Sequence, residues 1–515
     1  MNAQPLRHLA VTATALTLTF ALSGCFSSTQ AENGGTDAQG GDQRVSIAML
    51  QPPRSGLTPL SDDAFKLSRW STAETLIVLD EAGDAQPSLA TEWQQTSPTT
   101  WEFTIRDGVT FHDGTDLTAE QVAASLTAAT EANPKPRILD GVDMSVEVQD
   151  NTVTITTGTE DPLIPQRLSS PQLAILAASA YGEDGVVNPV GTGTGPFELV
   201  DVDGTTAATL NRYDGYWGEK AKASGIDVTY VPDGTARAAA LRTGTADIVE
   251  AIPVGQAASI DENLIYEVPM PRTNTLYLNT ESGPFKDPAV RAAAQAAVDR
   301  ATIVGTVYED RADIAEGLLG PALPWAAEER TTEEYQDART PIATPEEVDG
   351  VKITLGTFTD RAELPEVAVQ LEQQLEAAGF DVTQDVREYQ YIEADALDGA
   401  FDAFILSRAT VLDSGDPVAY LYSDFSCEGS FNISQFCNDD VDAALATAAA
   451  TPAGPERRAA IMEAEALILA NNAAIPMLHE RVIQGELPGT DGAARDPRER
   501  TLVTSNTNVT GETAK

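Results

Sequence analysis

The stretch that most constrains the fold runs from Val351 to Ser407. Val351 to Gly356 alternates as a strand, and Leu364, Val367, Leu371, Leu375 and Ala378 then recur at helical spacing as one apolar face that Gly379 stops. Phe380 to Val386 returns as a strand. A second helical stretch leads to Phe401–Ser407, FDAFILS, a buried strand. This order predicts an α/β fold with a mixed or parallel sheet covered by helices. In such sheets ligands sit outside the carboxyl ends of the strands. Directly after Ser407 the chain reads RATVLDSGDPVAYLYSDFSCEGSFNISQFC, so binding chemistry is sought there.

The amino terminus sets the compartment. Met1 to Leu22 has a basic start at Arg7 and an apolar run from Leu9 interrupted only by threonines, too short for a stable membrane span and consistent with a secretory signal over 1–24. Leu22-Ser23-Gly24-Cys25 matches the lipobox of bacterial lipoproteins, whose cysteine is lipidated; the alternative is a short core segment with a chance cysteine. Residues 25–43 carry Gly34-Gly35 and Gly40-Gly41 among small polar residues and are expected to be a flexible tether. The formal charge of −47, from 79 acidic against 32 basic residues, argues against nucleic acid, whose binding rests on phosphate neutralisation. A solubilising acidic coat is the simplest reading of that charge. Cys427 and Cys437 remain as an even pair in an oxidising compartment and are expected to form a disulfide. The closed loop of about ten residues is worth roughly 2–3 kcal/mol in the chain-entropy account. With His8 in the signal and His112 and His479 far along the chain from the pair, a zinc site there is disfavoured.

Other elements are locally legible. Trp101 to Leu126 predicts strand, turn, strand, turn and a helix capped by Thr118 with Gln121. Ser145 to Thr156 is a β-hairpin about Asp150-Asn151, and Leu163 to Ala180 is expected to be helical. Asp287 and Pro288 open a helix running to about Val307, in which Arg291 and Asp299 are surface or inter-helix charges. Helices over Asp439 to Ala450 and Glu456 to Asn471 follow, with a last strand near Thr501 to Ser505. The glycine-rich PVGTGTGPF at Pro189 to Phe197 lacks the Lys-Ser/Thr of a nucleotide loop and the spacing of a dinucleotide fingerprint.

The ordered series Glu74-Thr75-Leu76, Leu89-Ala90, Trp93, WEFTIRDGVTFHDGTDLTAEQVAASL, Gly193-Thr194-Gly195-Pro196-Phe197, Asn211 to Gly218, Val298-Asp299-Arg300 and Ile475-Pro476-Met477 closely resembles the bacterial extracellular solute-binding proteins of the peptide/nickel/opine family. The resemblance spans roughly residues 45–485. It implies a two-lobed periplasmic-binding-protein-like fold, class II type, with an additional α/β subdomain and a ligand cleft between the lobes. The expected division is 44–271 for the first lobe with the subdomain inserted at about 61–185, 272–480 for the second lobe, and 481–515 returning to the first lobe. It further implies a monomeric, non-enzymatic receptor without cofactor, exported and lipid-anchored outside the cell membrane. That receptor would deliver peptides or another small solute to a cognate ABC permease and ATPase.

In dipeptide-binding relatives the first aspartate of the loop after the buried strand accepts the ligand's α-ammonium group, which the resemblance assigns to Asp413; an Asx turn before Pro417 is the alternative for Asp413 and Asp416. Arg361, with Arg408 as rival, is the candidate for a ligand carboxylate, although the residues around Arg361 depart from the family pattern. Phe431, Asn432 and Trp217 complete the candidate contacts. Nickel chelates, opines, oligosaccharides and siderophore-like compounds compete as ligands. A lipoprotein hydrolase is the remaining class, without a Gly-x-Ser-x-Gly elbow or His-Glu-x-x-His to support it.

Overall fold

A computed structural model describes residues 43–182, 185–411 and 414–510. The signal segment, Cys25, the tether up to Asp42, and Asp413 lie outside the described residues.

Two long antiparallel strands, Ile265–Leu278 and Ala474–Glu486, form the spine. Their ladder comes in two blocks. Ile265 to Pro269 pairs with Gly485 to Arg481, Thr273 to Tyr277 pairs with His479 to Ala474, and the register breaks between Pro269 and Thr273. Pro269 and Pro271 flank Met270, and neither can donate a backbone N–H, so a regular ladder cannot pass this point. The outer partners change across the break as well. Beyond it, Arg272–Leu278 pairs with Ala409–Ala403; before it, Gly485 and Glu486 pair with Val249 and Ile248.

An 11-stranded mixed sheet among the described residues thus divides at the break. On one side stand Phe380–Arg387, Val351–Phe358 and Ala403–Ala409, mutually parallel as their helical connections require. On the other, Arg44–Met49 lies parallel to both Ile248–Val249 and Gly225–Tyr230. Each half has its own core. The second-lobe core gathers Leu276, Leu355, Leu371, Ile405, Leu445 and Leu469, and the first-lobe sheet buries Val45, Ile47 and Met49 on one face and Ala48 on the other, the period of two expected of a strand covered on both sides. A separate core containing Phe103, Val122, Leu126 and Val153 lies under a four-stranded antiparallel sheet and the helix Ala119–Glu131. The fold is α/β and two-lobed, and the ladder of the two spine strands breaks between Pro269 and Thr273.

Local pattern and structure agree wherever the pattern is locally determined. The strands Val351–Phe358 and Phe380–Arg387 flank the helix Glu363–Ala377, and Thr118 caps Ala119–Glu131 through Gln121 N. Four expectations need correction. Leu163 to Ala180 holds only the helical turn Ile164–Arg167 and two 3-10 turns, because Pro165 and Pro171 deny donors and Ser170 caps a new turn. The helix from Pro288 divides into Pro288–Ala297 and Arg300–Val307, since Asp299 bonds Thr302 N as a fresh N-cap. Arg291 is buried rather than at the surface and donates to the carbonyls of Asn471 and Phe285. Thr501 to Ser505 is not a strand; Leu502 and Val503 re-enter the first-lobe core as irregular backbone held by Arg69 O.

Three separated motifs meet on one carboxylate. Glu74 accepts hydrogen bonds from Thr194 Oγ1 (2.8 Å), Tyr216 Oη (2.9 Å) and Trp217 Nε1 (2.9 Å). Burial holds its carboxyl above the usual range in spite of those three donors. Beside this knot the crossover at Gly193 and Gly195 runs so close to the chain that an added Cβ would lie 1.9 Å from Thr72 O and 2.0 Å from Ser71 O. His112 ties the same crossover, its Nε2 2.9 Å from Gly195 O.

Both His112 and His479 are buried neutral bases. Burial depresses each to about 4, assisted at His479 by the positive charge of Arg330. An unfolded imidazole titrates near 6.5, so between about pH 6.5 and about pH 4 the unfolded chain binds more protons and acidification favours it. The histidine contribution to stability is complete above about pH 6.5 and is lost as pH falls through that window. Urea denaturation across this range is expected to show a smaller slope of stability against pH in His112→Gln and His479→Gln than in the wild type; equal slopes would contradict the assignment.

Candidate functional site

The parallel strands Val351–Phe358, Phe380–Arg387 and Ala403–Ala409 share one direction, and their carboxyl ends deliver Arg361, Tyr389 and the loop after Ala409. Arg408, near the end of the last strand, pairs across the ladder with Thr273, next to Arg272 at the spine break. The ends of these strands thus lie beside the spine break.

Glu480 organises one side of it. This buried carboxylate on the second spine strand accepts from Arg361 Nη1 at 2.7 Å and from Ser407 Oγ at 2.5 Å. Arg361 keeps about a third of its side chain exposed, 33%, so it is anchored yet accessible. On the other side Arg408 donates through Nε and Nη2 to Asp424 at 2.9 and 2.8 Å and stacks 4.1 Å from the Phe431 ring centroid. Tyr277 Oη donates to the same carboxylate at 3.1 Å. Burial alone would lower the Arg408 pKa, but Asp424 more than offsets it and the guanidinium is held above its ordinary value. Burial likewise raises the Asp424 carboxyl despite the ion pair. Asp424 thus favours the charged form of Arg408, while burial works against its own ionisation, the desolvation cost that any buried ion pair carries.

Arg272 differs from both. It is half-buried, and among the described residues its side chain has no hydrogen bond or ion pair. Its pKa is lowered, first by burial and then by the positive charge of Arg361, with Arg408 adding to it; Glu480 and Glu499 are the opposing charges. Arg361 and Arg408 thus both lie within electrostatic range of Arg272, in a chain whose formal charge is −47. A desolvated cation lacking an anion is unfavourable unless something else supplies one. Such an arrangement is suited to receive a carboxylate, which the planar fork of arginine can hold bidentately.

The candidates named from sequence fall into two groups. Arg361, bonded to Glu480, and Arg408 with Phe431, beside Asp424, lie near the spine break as described. Asn432 is spent within the disulfide loop, donating to Ser426 O and Phe436 O and accepting from Ser434 Oγ and Phe436 N. That loop is closed by Cys427–Cys437, with an S–S distance of 2.08 Å. Trp217 lies in the first-lobe knot, bonded to Glu74 and covered by Arg106 at 4.4 Å from its ring. Asp413 is outside the described residues, and its neighbour Asp416 is held by Arg457 through two bonds of 2.7 and 3.0 Å. Arg272 entered the sequence analysis only as the start of a lobe. The signal available for it was the polar run Arg272-Thr273-Asn274-Thr275 inside a strand, three of whose members are fully buried and two of which, Asn274 Oδ1 and Thr275 Oγ1, leave a polar atom without a protein partner.

Among the described residues no helix is long and apolar enough to cross a membrane, and no group of three His, Cys, Asp or Glu side chains is placed to hold a metal ion. The nickel-binding protein NikA of Staphylococcus aureus is 25% identical over 441 residues, covering 84% of this chain and 85% of the relative. The glutathione-binding protein GsiB of Salmonella paratyphi A is 26% identical over 429 residues, covering 76% and 80%. Among solved structures, a nickel ABC transporter protein from Bacillus halodurans superposes with a TM-score of 0.77 at 24% identity, over 91% of this chain and 100% of that one, a likeness of fold. The family model for bacterial extracellular solute-binding proteins, family 5 (middle region), matches residues 84–432, and with the hinged two-lobed architecture this places the chain as a member of that family.

Proposed function

We propose that the chain is the capture component of an ABC importer, a receptor that binds short peptides outside the membrane and hands them to a permease driven by an ATPase. The observation that carries the peptide reading is Arg272, a half-buried guanidinium that no hydrogen bond or ion pair among the described residues holds, within electrostatic range of Arg361. A peptide α-carboxylate supplies the missing charge. Its α-ammonium group is assigned to Asp413 on the family resemblance, since a desolvated ammonium needs a fixed carboxylate. The glutathione-binding relative, whose ligand is itself a peptide, supports this class. A ligand touching both lobes favours the closed arrangement over the open one and is retained by that difference in affinity.

A second reading is favoured by the same guanidinia. A metal chelate presents carboxylates too, and the nickel-binding relative makes a carboxylate-rich nickel complex the alternative cargo. The remainder of the proposal concerns placement. The receptor acts as a monomer, without cofactor or catalytic step, with lobes at 44–271 and 272–480 and the chain from 481 returning to the first lobe. It is exported and held at the outer membrane face by a lipid on Cys25.

Calorimetric titration with di- to pentapeptides, the same peptides as C-terminal amides, and a nickel–histidine complex separates these readings. Free peptides are expected to bind, and amidation to weaken them roughly ten-fold or more, the worth of a charge-assisted hydrogen bond to arginine. Binding of the nickel complex but of no peptide would contradict the peptide reading. For the anchor, Cys25→Ala is expected to release the protein from the membrane fraction into the soluble one; continued membrane retention would contradict lipidation.

A further inference from the structure

The hairpin Ile77–Leu79 with Ala85–Pro87 is rooted in the first-lobe subdomain, where Leu76 and Ile77 are part of the core. Its tip behaves differently. Ala82 packs against the second-lobe core. A methyl group added to Gly83 would stand 3.4 Å from Gly415 O, and one added to Gly415 would stand 2.4 Å from Leu79 Cδ1. Gly415 has φ +73°, so the position favours glycine on backbone grounds as well as for the close approach. Asp84 Oδ2 accepts from Arg458 Nη2 at 2.5 Å. Four residues of the first lobe thus rest on the second, 374 positions apart in sequence at the ion pair.

The tip is shaped independently of what it touches. Asp80 Oδ1 accepts from Ala82 N and Asp84 N, both at 3.0 Å, and its Oδ2 from Gln86 Nε2 at 2.9 Å. Arg498, from the returning C-terminal segment, donates to Asp80 O and braces the turn from within the first lobe. A preformed tip loses little freedom when it docks.

On the receiving side, consecutive arginines of the helix Pro455–Ala470 do two tasks. Arg458 holds the hairpin tip, while Arg457 holds Asp416 and, through Nη1, Thr451 O at 2.7 Å. Asp416 belongs to the loop that leaves the carboxyl end of Ala403–Ala409, where the candidate site lies. One helix end therefore joins the interlobe contact to the loop that follows Ala409.

We infer that the Asp80–Asp84 tip is an interlobe latch, which holds the second lobe through Ala82, Gly83 and Asp84 and biases the receptor toward the closed arrangement even without ligand. The latch acts on the hinge equilibrium, and it stands apart from the identity of the cargo.

The test is the interlobe distance distribution of the ligand-free protein, measured by pulsed electron spin resonance between spin labels at Gln95→Cys and Glu376→Cys, both exposed sites on opposite lobes, in a Cys25→Ser background that leaves the disulfide intact. The wild-type latch is expected to give a dominant short distance. Asp84→Arg and Arg458→Asp should each lower the ratio of closed to open population about five-fold or more. The two together, which restore opposite charges, should recover most of the short-distance population. Ala82→Asp, which leaves the ion pair intact but sets a charge against the second-lobe core, should open the protein as the single swaps do. A wild-type distribution that is already long, single variants that leave it unmoved, or a double swap that fails to recover it would each overturn the latch.

Discussion

Everything that makes this chain a receptor depends on one interruption in a β-ladder. Two strands of 14 and 13 residues pair on both sides of Met270 and not across it. The Pro-Met-Pro sequence enforces the gap, because two of three successive residues have no N–H to give. A continuous ladder would fuse the halves into one rigid sheet. With the ladder broken, each half retains its own outer strands and its own core, and a few backbone torsions can absorb the relative motion of the lobes.

The charges near that break follow from it. A strand interrupted at a lobe boundary brings polar residues to a position that neither core covers, and here they are Arg272, Glu480 and, alongside, Arg361 and Arg408. Glu480 and Asp424 each fix one guanidinium, so their orientation is set before any ligand arrives. The third, Arg272, has no side-chain hydrogen bond or ion pair among the described residues. Preorganised donors with an unfilled demand are how a site binds an anion without reorganising itself. The acidic surface of the whole chain does not conflict with this, because the demand is local and partly shielded from water.

Much of the scaffold was legible in the chain because it is written locally. The βαβ run from Val351, the hairpin about Asp150 and the Thr118 cap each depend on spacing within a dozen residues, and each matches the fold. The failures share a cause. Leu163 to Ala180 is apolar enough for a helix, but its prolines divide it and its backbone is satisfied by partners such as Glu74 O and Thr192 O from elsewhere. Arg291 looks like a surface charge until the carbonyls that cap it are brought in from Asn471, 180 positions away. Tyr216-Trp217 beside glycine suggests either a cleft wall or packing, and only the arrival of Glu74 from 142 and 143 positions away shows what those polar tips bond. Arg272 was hidden for the opposite reason, since what distinguishes it is an ion pair that it does not make among the described residues.

The central claim is that the ligand's anionic group is held at the hinge by Arg272 together with Arg361. A crystal structure of the protein with a bound tripeptide tests it directly. The account predicts a ligand carboxylate oxygen within roughly 2.7–2.9 Å of a guanidinium nitrogen of Arg272, the distance of a charge-assisted hydrogen bond, with Arg361 on the same group. A bound peptide whose carboxylate lies elsewhere, with Arg272 contacting only water, would contradict it.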